Sequence, residues 1–95
     1  MLIEQIQLEK GCALGLNFEM QKYTLLVIRT NKGFLMCGYL NINAAEELGD
    51  TAAKVKGVKS FEDMLKAQVV EVTEMARELG VEPGMTGREA LDKMF

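Results

Sequence analysis

The sequence contains no histidine and no tryptophan, and only one proline and two cysteines among its 95 residues. Without imidazole there is no Ser-His-Asp or Cys-His nucleophile pair, no HExxH zinc site and no histidine proton shuttle. Cys12 and Cys37 lie 25 positions apart, and no further Cys or His completes a metal set. Neither a CxxC redox motif nor a structural zinc is indicated, and both thiols read as reduced, small apolar side chains. No apolar run approaches the roughly 18 residues of a membrane span. Met1-Leu2-Ile3-Glu4 has neither a basic n-region nor a long apolar h-region, which predicts a cytosolic protein. Nothing in the pattern calls for a cofactor.

What is present is 48% apolar and 26% charged, the balance of one soluble globular domain over residues 1–95. A chain this short buries only about 60 to 65% of its unfolded surface, enough for one modest core but not for a two-domain enzyme around an enclosed cleft. The formal net charge is -3, the wrong sign for a domain held to nucleic acid by phosphate neutralisation. Residues 1–42 carry four basic and three acidic groups, and residues 43–95 carry seven and eleven. The local exception is Lys54, Lys56 and Lys59, which read as a solvated strand face or as a greeting for an anion.

Leu2, Ile6 and Leu8 alternate with polar residues. After Lys10-Gly11, the run Cys12, Leu14, Leu16, Phe18 and Met20 alternates with Ala13, Gly15, Asn17 and Glu19. Period two on either side of a turn predicts a hairpin whose strands each have an apolar and a polar face, as in a sheet covered on one side. Residues 23–30 and 34–40 are apolar on both faces, which places them centrally, as a second hairpin with Gly33 supplying a positive φ. Past residue 42 the pattern shifts to short helices. Asn43-Ala44-Ala45-Glu46 has the form of a capping box, and Gly49 that of a C-terminal stop. Ala53, Val55 and Gly57 alternate with Lys54 and Lys56, suggesting another strand, and Ser60 caps a following helix.

Residues 61–79 fit one long amphipathic helix, but Val69-Val70-Glu71-Val72-Thr73 is rich in β-branched residues and Thr73 is a good N-cap. Helix, strand, helix is the favoured reading. Pro83-Gly84-Met85 predicts a turn, and Thr86-Gly87-Arg88-Glu89 a second capping box. The fold class is α+β: a two-layer α/β sandwich, with N-terminal antiparallel hairpins followed by short helices alternating with strands.

Three stretches together resemble the YunC-like family, a bacterial and archaeal domain of unknown function: Gly33 to Asn41; Ala44-Ala45-Glu46 through Gly57-Val58-Lys59-Ser60-Phe61-Glu62-Asp63-Met64-Leu65; and Gly84 to Leu91. The resemblance covers most of residues 23–95. It implies a small α/β two-layer fold and brings no activity or catalytic residue with it.

Candidate sites follow from residue chemistry. Cys37, in a strand running into Asn41 and the helix capped by Asn43, gains thiolate character if its sulfur lies near that helix start; among Leu35, Met36, Tyr39 and Leu40 it reads equally as inert core. Gly84-Met85-Thr86-Gly87-Arg88 offers N–H groups, the Thr86 hydroxyl and the Arg88 guanidinium to an anion, or is an ordinary capped helix. Gly57-Val58-Lys59-Ser60 fails as a P-loop, because Val58 separates Gly from Lys. Arg29 closes an apolar run and reaches solvent or an anionic partner. Glu46-Glu47 and Glu62-Asp63 diverge by about 100° on a helix and cannot converge on one atom. The seven methionines form either core or an adaptable surface.

The preferred function is a homo-oligomeric ligand-binding or interaction module, assembled through the first hairpin's edges or the Met-bearing helices. The alternative is a small enzyme with an interface active site, Cys37 as nucleophile and Asn41, Asn43 or Arg88 holding a small anionic ligand.

Overall fold

Six strands join into one mixed sheet whose spatial order follows the chain, with four short helices packed against it. The computed structural model describes all residues, Met1–Phe95. In chain order the elements are β1 (Leu2–Gln7), β2 (Cys12–Glu19), β3 (Thr24–Arg29), β4 (Phe34–Met36), α1 (Ile42–Leu48), β5 (Ala52–Lys54), α2 (Phe61–Lys66), β6 (Glu71–Val72), α3 (Glu74–Glu78) and α4 (Gly87–Asp92). Neighbouring strands are antiparallel except β4 and β5, which run parallel with Leu35 opposite Ala53. The α+β class holds, the doubly apolar β3 and β4 are central, and residues 61–79 divide into helix, strand and helix.

Register fixes the two faces, because residues directly opposite each other share a side. Ile6 faces Ala13, Gly15 faces Ile28, and Ile28 faces Leu35. This inner face meets α2, α3 and α4, which contribute Met64, Ala76 and Leu91 to a core containing Leu26, Ile28, Leu35, Val55 and Met94. The small side of β2 makes the contact possible. A Cβ at Gly15 would stand 2.7 Å from the Phe61 ring and 2.8 Å from Ile6 Cδ1, so α2 approaches the strand backbone directly. On the outer face α1 lays Ile42 and Ala45 over Met36 and Ala52, with Phe34 and Leu40 beside them.

Two local expectations are corrected. Gly33 is not in the left-handed region; the positive-φ glycines are Gly49, Gly57, Gly80 and Gly84. What keeps Gly33 bare is crowding, since a Cβ there would collide with the Thr51 carbonyl oxygen and reach 2.8 Å from Thr51 Cγ2. The turn is held instead by Thr30, whose hydroxyl accepts from Gly33 N–H at 3.2 Å and donates to Met94 O at 2.8 Å. The first helix is capped by Asn41 rather than Asn43: the Asn41 side chain accepts from Asn43 N–H and Ala44 N–H at 2.7 and 3.3 Å. Ile42 decides this, because as the first helical residue it reaches the Met36 and Ala52 cluster. Glu46, freed from capping its own helix, accepts from Glu74 N–H at 2.9 Å and ties α1 to α3. The remaining caps fall where residue chemistry puts them, at Gly49 (φ 78), Ser60, Thr73 and Thr86.

Candidate functional site

Two surface features stand out, and each follows from where the helices sit. The first is the outer face of β1–β3. Since α1 covers only the β4–β5 side of that face, the side chains of β2 that alternate with Ala13 and Gly15 have no helix above them. These are Cys12, Leu14, Leu16 and Phe18, the more apolar side of the strand. Period two predicts an apolar face under cover, yet helices cover the smaller side because Phe61 fits over glycine. Leu14 remains 48% exposed, Phe18 47% and Ile3 58%, while Leu16 and its cross-strand partner Val27 are half-buried. Arg29, opposite Leu14, is the charge bordering this surface.

The second feature is a cleft of about 340 Å³ lined by Tyr23, Thr24, Cys37, Gly38, Tyr39, Gly57, Val58 and Lys59. Its walls are the loop after β4, the loop after β5 and the start of β3. Because β4 and β5 are adjacent and parallel, both loops leave from carboxyl ends at the same edge of the sheet. The first leads to α1 on the outer face, and the second to α2 on the inner face. Divergence of this kind opens a crevice, the switch point at which ligands bind in open α/β sheets.

Cys37 lies beneath the cleft at 3% exposure. Its sulfur accepts from Leu26 N–H at 3.3 Å, and its own N–H donates to Leu26 O at 3.2 Å. The thiol thereby continues the β3 ladder.

Of the residues singled out by sequence, Cys37 and Lys59 line this cleft, whereas Asn41, Asn43, Thr86 and Arg88 do not. Asn41 spends its side-chain oxygen on the start of α1, and Asn43 is an exposed residue in that helix's first turn. Thr86 and Glu89 form a reciprocal capping box, with Glu89 N–H donating to the hydroxyl at 3.2 Å and Thr86 N–H to the carboxylate at 2.9 Å. That backbone bond, followed by the Thr86 side chain, holds the Glu89 carboxyl below its ordinary pKa. Arg88 is exposed. Met64 and Met94 are wholly buried and Met85 half-buried, while Met75 on α3 is exposed, so these four serve mainly as core and only Met75 among them stands at the surface. Tyr23 and Tyr39 are separable from ordinary surface tyrosines only by knowing that β4 and β5 pair in parallel. No group of three or more Cys, Asp or Glu is placed to hold a metal ion, and no helix is long and apolar enough to cross a membrane.

Comparison with known proteins supports the resemblance. Residues 36–94 match the profile of a family described as a domain of unknown function, DUF1805. The chain is 33% identical over 81 residues to the uncharacterized protein YunC of Bacillus subtilis, an alignment covering 81% of this chain and 80% of that one. The crystal structure of TA1206, a protein of unknown function from Thermoplasma acidophilum, superposes with a TM-score of 0.94 at 36% identity, covering 99% of this chain and 92% of that one.

Proposed function

The chain belongs to the DUF1805 family of domains of unknown function, and we propose that it works in the cytosol as a self-associating interaction module, two copies stacking the bare outer faces of β1–β3. The observation that carries this reading is the half-exposed Leu14 and Phe18 on a sheet face with no helix over it. Three strands about 4.8 Å apart and six to eight residues long make a patch on the order of 300 Å² in projection. Gln5 and Gln7 of β1 and Arg29 share this face with Ile3, Leu14, Leu16, Phe18 and Val27, and an exposed apolar cluster of this kind is of the size of the largest patch on soluble domains, which is often functional.

Charge favours a second copy as the occupant. The patch offers a charged partner little to pair with apart from Arg29 at its border, whereas an identical apolar face complements it fully. Stacking also joins the parts containing residues 1–42, where basic and acidic groups nearly balance, with α1 standing beside the contact on the same face. Sheets packed in this way lie about 10 Å apart with strands aligned to about 30°.

Sedimentation velocity tests the reading. The wild-type chain doubles in mass between about 5 and about 200 μM, while Leu14→Lys/Phe18→Lys stays monomeric with its circular dichroism unchanged, because substitutions at such exposed positions shift stability by only about 0.5 kcal/mol each. A wild type that remains monomeric throughout, or a double variant that dimerises as well as wild type, overturns it.

A further inference from the structure

We propose that the cleft between the β4–α1 and β5–α2 loops is a binding site for a small planar aromatic anion, a single ring bearing a carboxylate. Position is the first support, since the cleft occupies the one place where parallel neighbouring strands send their connections to opposite faces of the sheet. Its volume of about 340 Å³ sits at the small end of the range for ligand sites, about 300 to 1,000 Å³, which suits one ring rather than two.

The lining supplies both halves of the recognition. Tyr23 and Tyr39, the only tyrosines of the chain, give two aromatic surfaces against which a planar ring packs in stacked or edge-on geometry. Lys59 gives the cation, and no acidic side chain shares the lining, although the chain carries 14 acidic residues. The backbone adds donors. Within the chain, the N–H groups of Gly38, Tyr39, Gly57 and Val58 donate to no acceptor. Lys59 N–H, in contrast, is taken by Asp63 Oδ2 at 3.1 Å. Free main-chain donors beside a lysine are what a carboxylate oxygen requires.

Gly38 is the most telling residue. It is not in the left-handed region, and a Cβ built on it meets nothing within 4 Å. Neither backbone conformation nor packing therefore demands glycine, and the consequence of its bareness is an unfilled cleft. In Gly33 and Gly15, by comparison, a side chain is excluded by crowding. Gly57, on the facing loop, has φ 71, and a Cβ placed there would likewise meet nothing within 4 Å.

The test is calorimetric titration with benzoate and with its uncharged analogue benzamide, read together with the tyrosine ring-proton shifts, which report on this cleft alone. Benzoate binds the wild-type chain with Kd on the order of 0.1 to 1 mM, as befits so small a ligand, and moves both tyrosine signals; benzamide binds about fivefold more weakly. Gly38→Val, which fills the cleft from a position without neighbours, lowers benzoate affinity at least about tenfold with an unchanged unfolding midpoint. Lys59→Met, altering one exposed side chain, removes the preference for benzoate over benzamide and guards against any unexpected loss of fold in the valine variant. Absence of benzoate binding at about 20 mM, wild-type affinity in folded Gly38→Val, or retention of the benzoate preference in Lys59→Met overturns the proposal.

Discussion

Replacing Gly87 by alanine reverses the usual effect of that substitution in a helix. Gly87 opens α4, and an alanine there ordinarily stabilises by about 0.5 to 1 kcal/mol through backbone entropy. Here the added methyl group falls on the Met64 carbonyl oxygen and within 2.9 Å of Leu35 Cδ2. The carbonyl belongs to α2 and cannot rotate away as a side chain would. The start of α4 is also tied to the end of α2, because Gly87 N–H donates to Ala67 O at 2.9 Å and Gln68 bridges Thr86. Relief therefore requires the two helices to separate, and forced overpacking of a core costs about 1 to 3 kcal/mol. The net loss is about 1 to 2 kcal/mol, or a fall in Tm of roughly 5 to 15 °C for a domain of this size.

Urea denaturation at 25 °C followed by circular dichroism measures it, with Gly38→Ala as the reference. That second methyl group enters open space at a compatible backbone, so Gly38→Ala is neutral or gains up to about 1 kcal/mol. If Gly87→Ala is as stable as wild type, or if the two variants move together, the close approach of α2 and α4 is wrong.

Other consequences are open to the same assay. Thr73 is wholly buried, and its hydroxyl accepts from Ala52 N–H at 3.0 Å and Ala76 N–H at 3.3 Å; Thr73→Val costs about 2 to 4 kcal/mol, from a lost cap and a stranded backbone donor. Thr86→Ala removes only a helix cap at a half-buried site and costs about 1 kcal/mol, so finding the two equal refutes the bridging role of Thr73. Glu89 yields a pH dependence. Its carboxyl is held below its ordinary pKa by the Thr86 N–H and then the Thr86 side chain, so its charged form contributes stability above the unfolded pKa, and that contribution disappears as pH falls through the folded one. The stability difference between wild type and Glu89→Gln consequently shrinks between about pH 6 and about pH 3; a difference that grows in acid contradicts the capping box.

Much of the fold is legible in the sequence because its signals are local. Alternation marks the first two strands, doubly apolar runs mark the next two, Gly49 ends a helix, and Ser60, Thr73 and Thr86 start three more. Where two local signals compete, distant contacts decide. Asn41 and Asn43 are both good caps, and the burial of Ile42 against Met36 and Ala52 selects the former. Gly33 looks like a turn glycine but answers to Thr51, which lies 18 residues further on.

The candidate sites are least legible, because they depend on which side of the sheet each helix chooses. Alternation in β2 separates Leu14 and Phe18 from Ala13 and Gly15, but only the Phe61 ring lying over Gly15 reveals that the smaller side is covered. Likewise Tyr23, Tyr39 and Lys59 stand far apart in the chain, and their meeting rests on the parallel pairing of β4 with β5. Cys37 is identifiable from sequence as a thiol beside a helix start, but not as one already accepting from Leu26 N–H.

The bare face carries its own reporter, since Cys12 shares it with Leu14 and is exposed, whereas Cys37 is buried. Its labelling rate with iodoacetamide, measured across protein concentrations at neutral pH, therefore locates the contact as well as detecting it. The account predicts that Cys12 reacts much faster than Cys37 in dilute solution and slows several-fold as the mass doubles. A Cys12 rate that is unchanged while the protein dimerises would place the interface elsewhere and contradict the account.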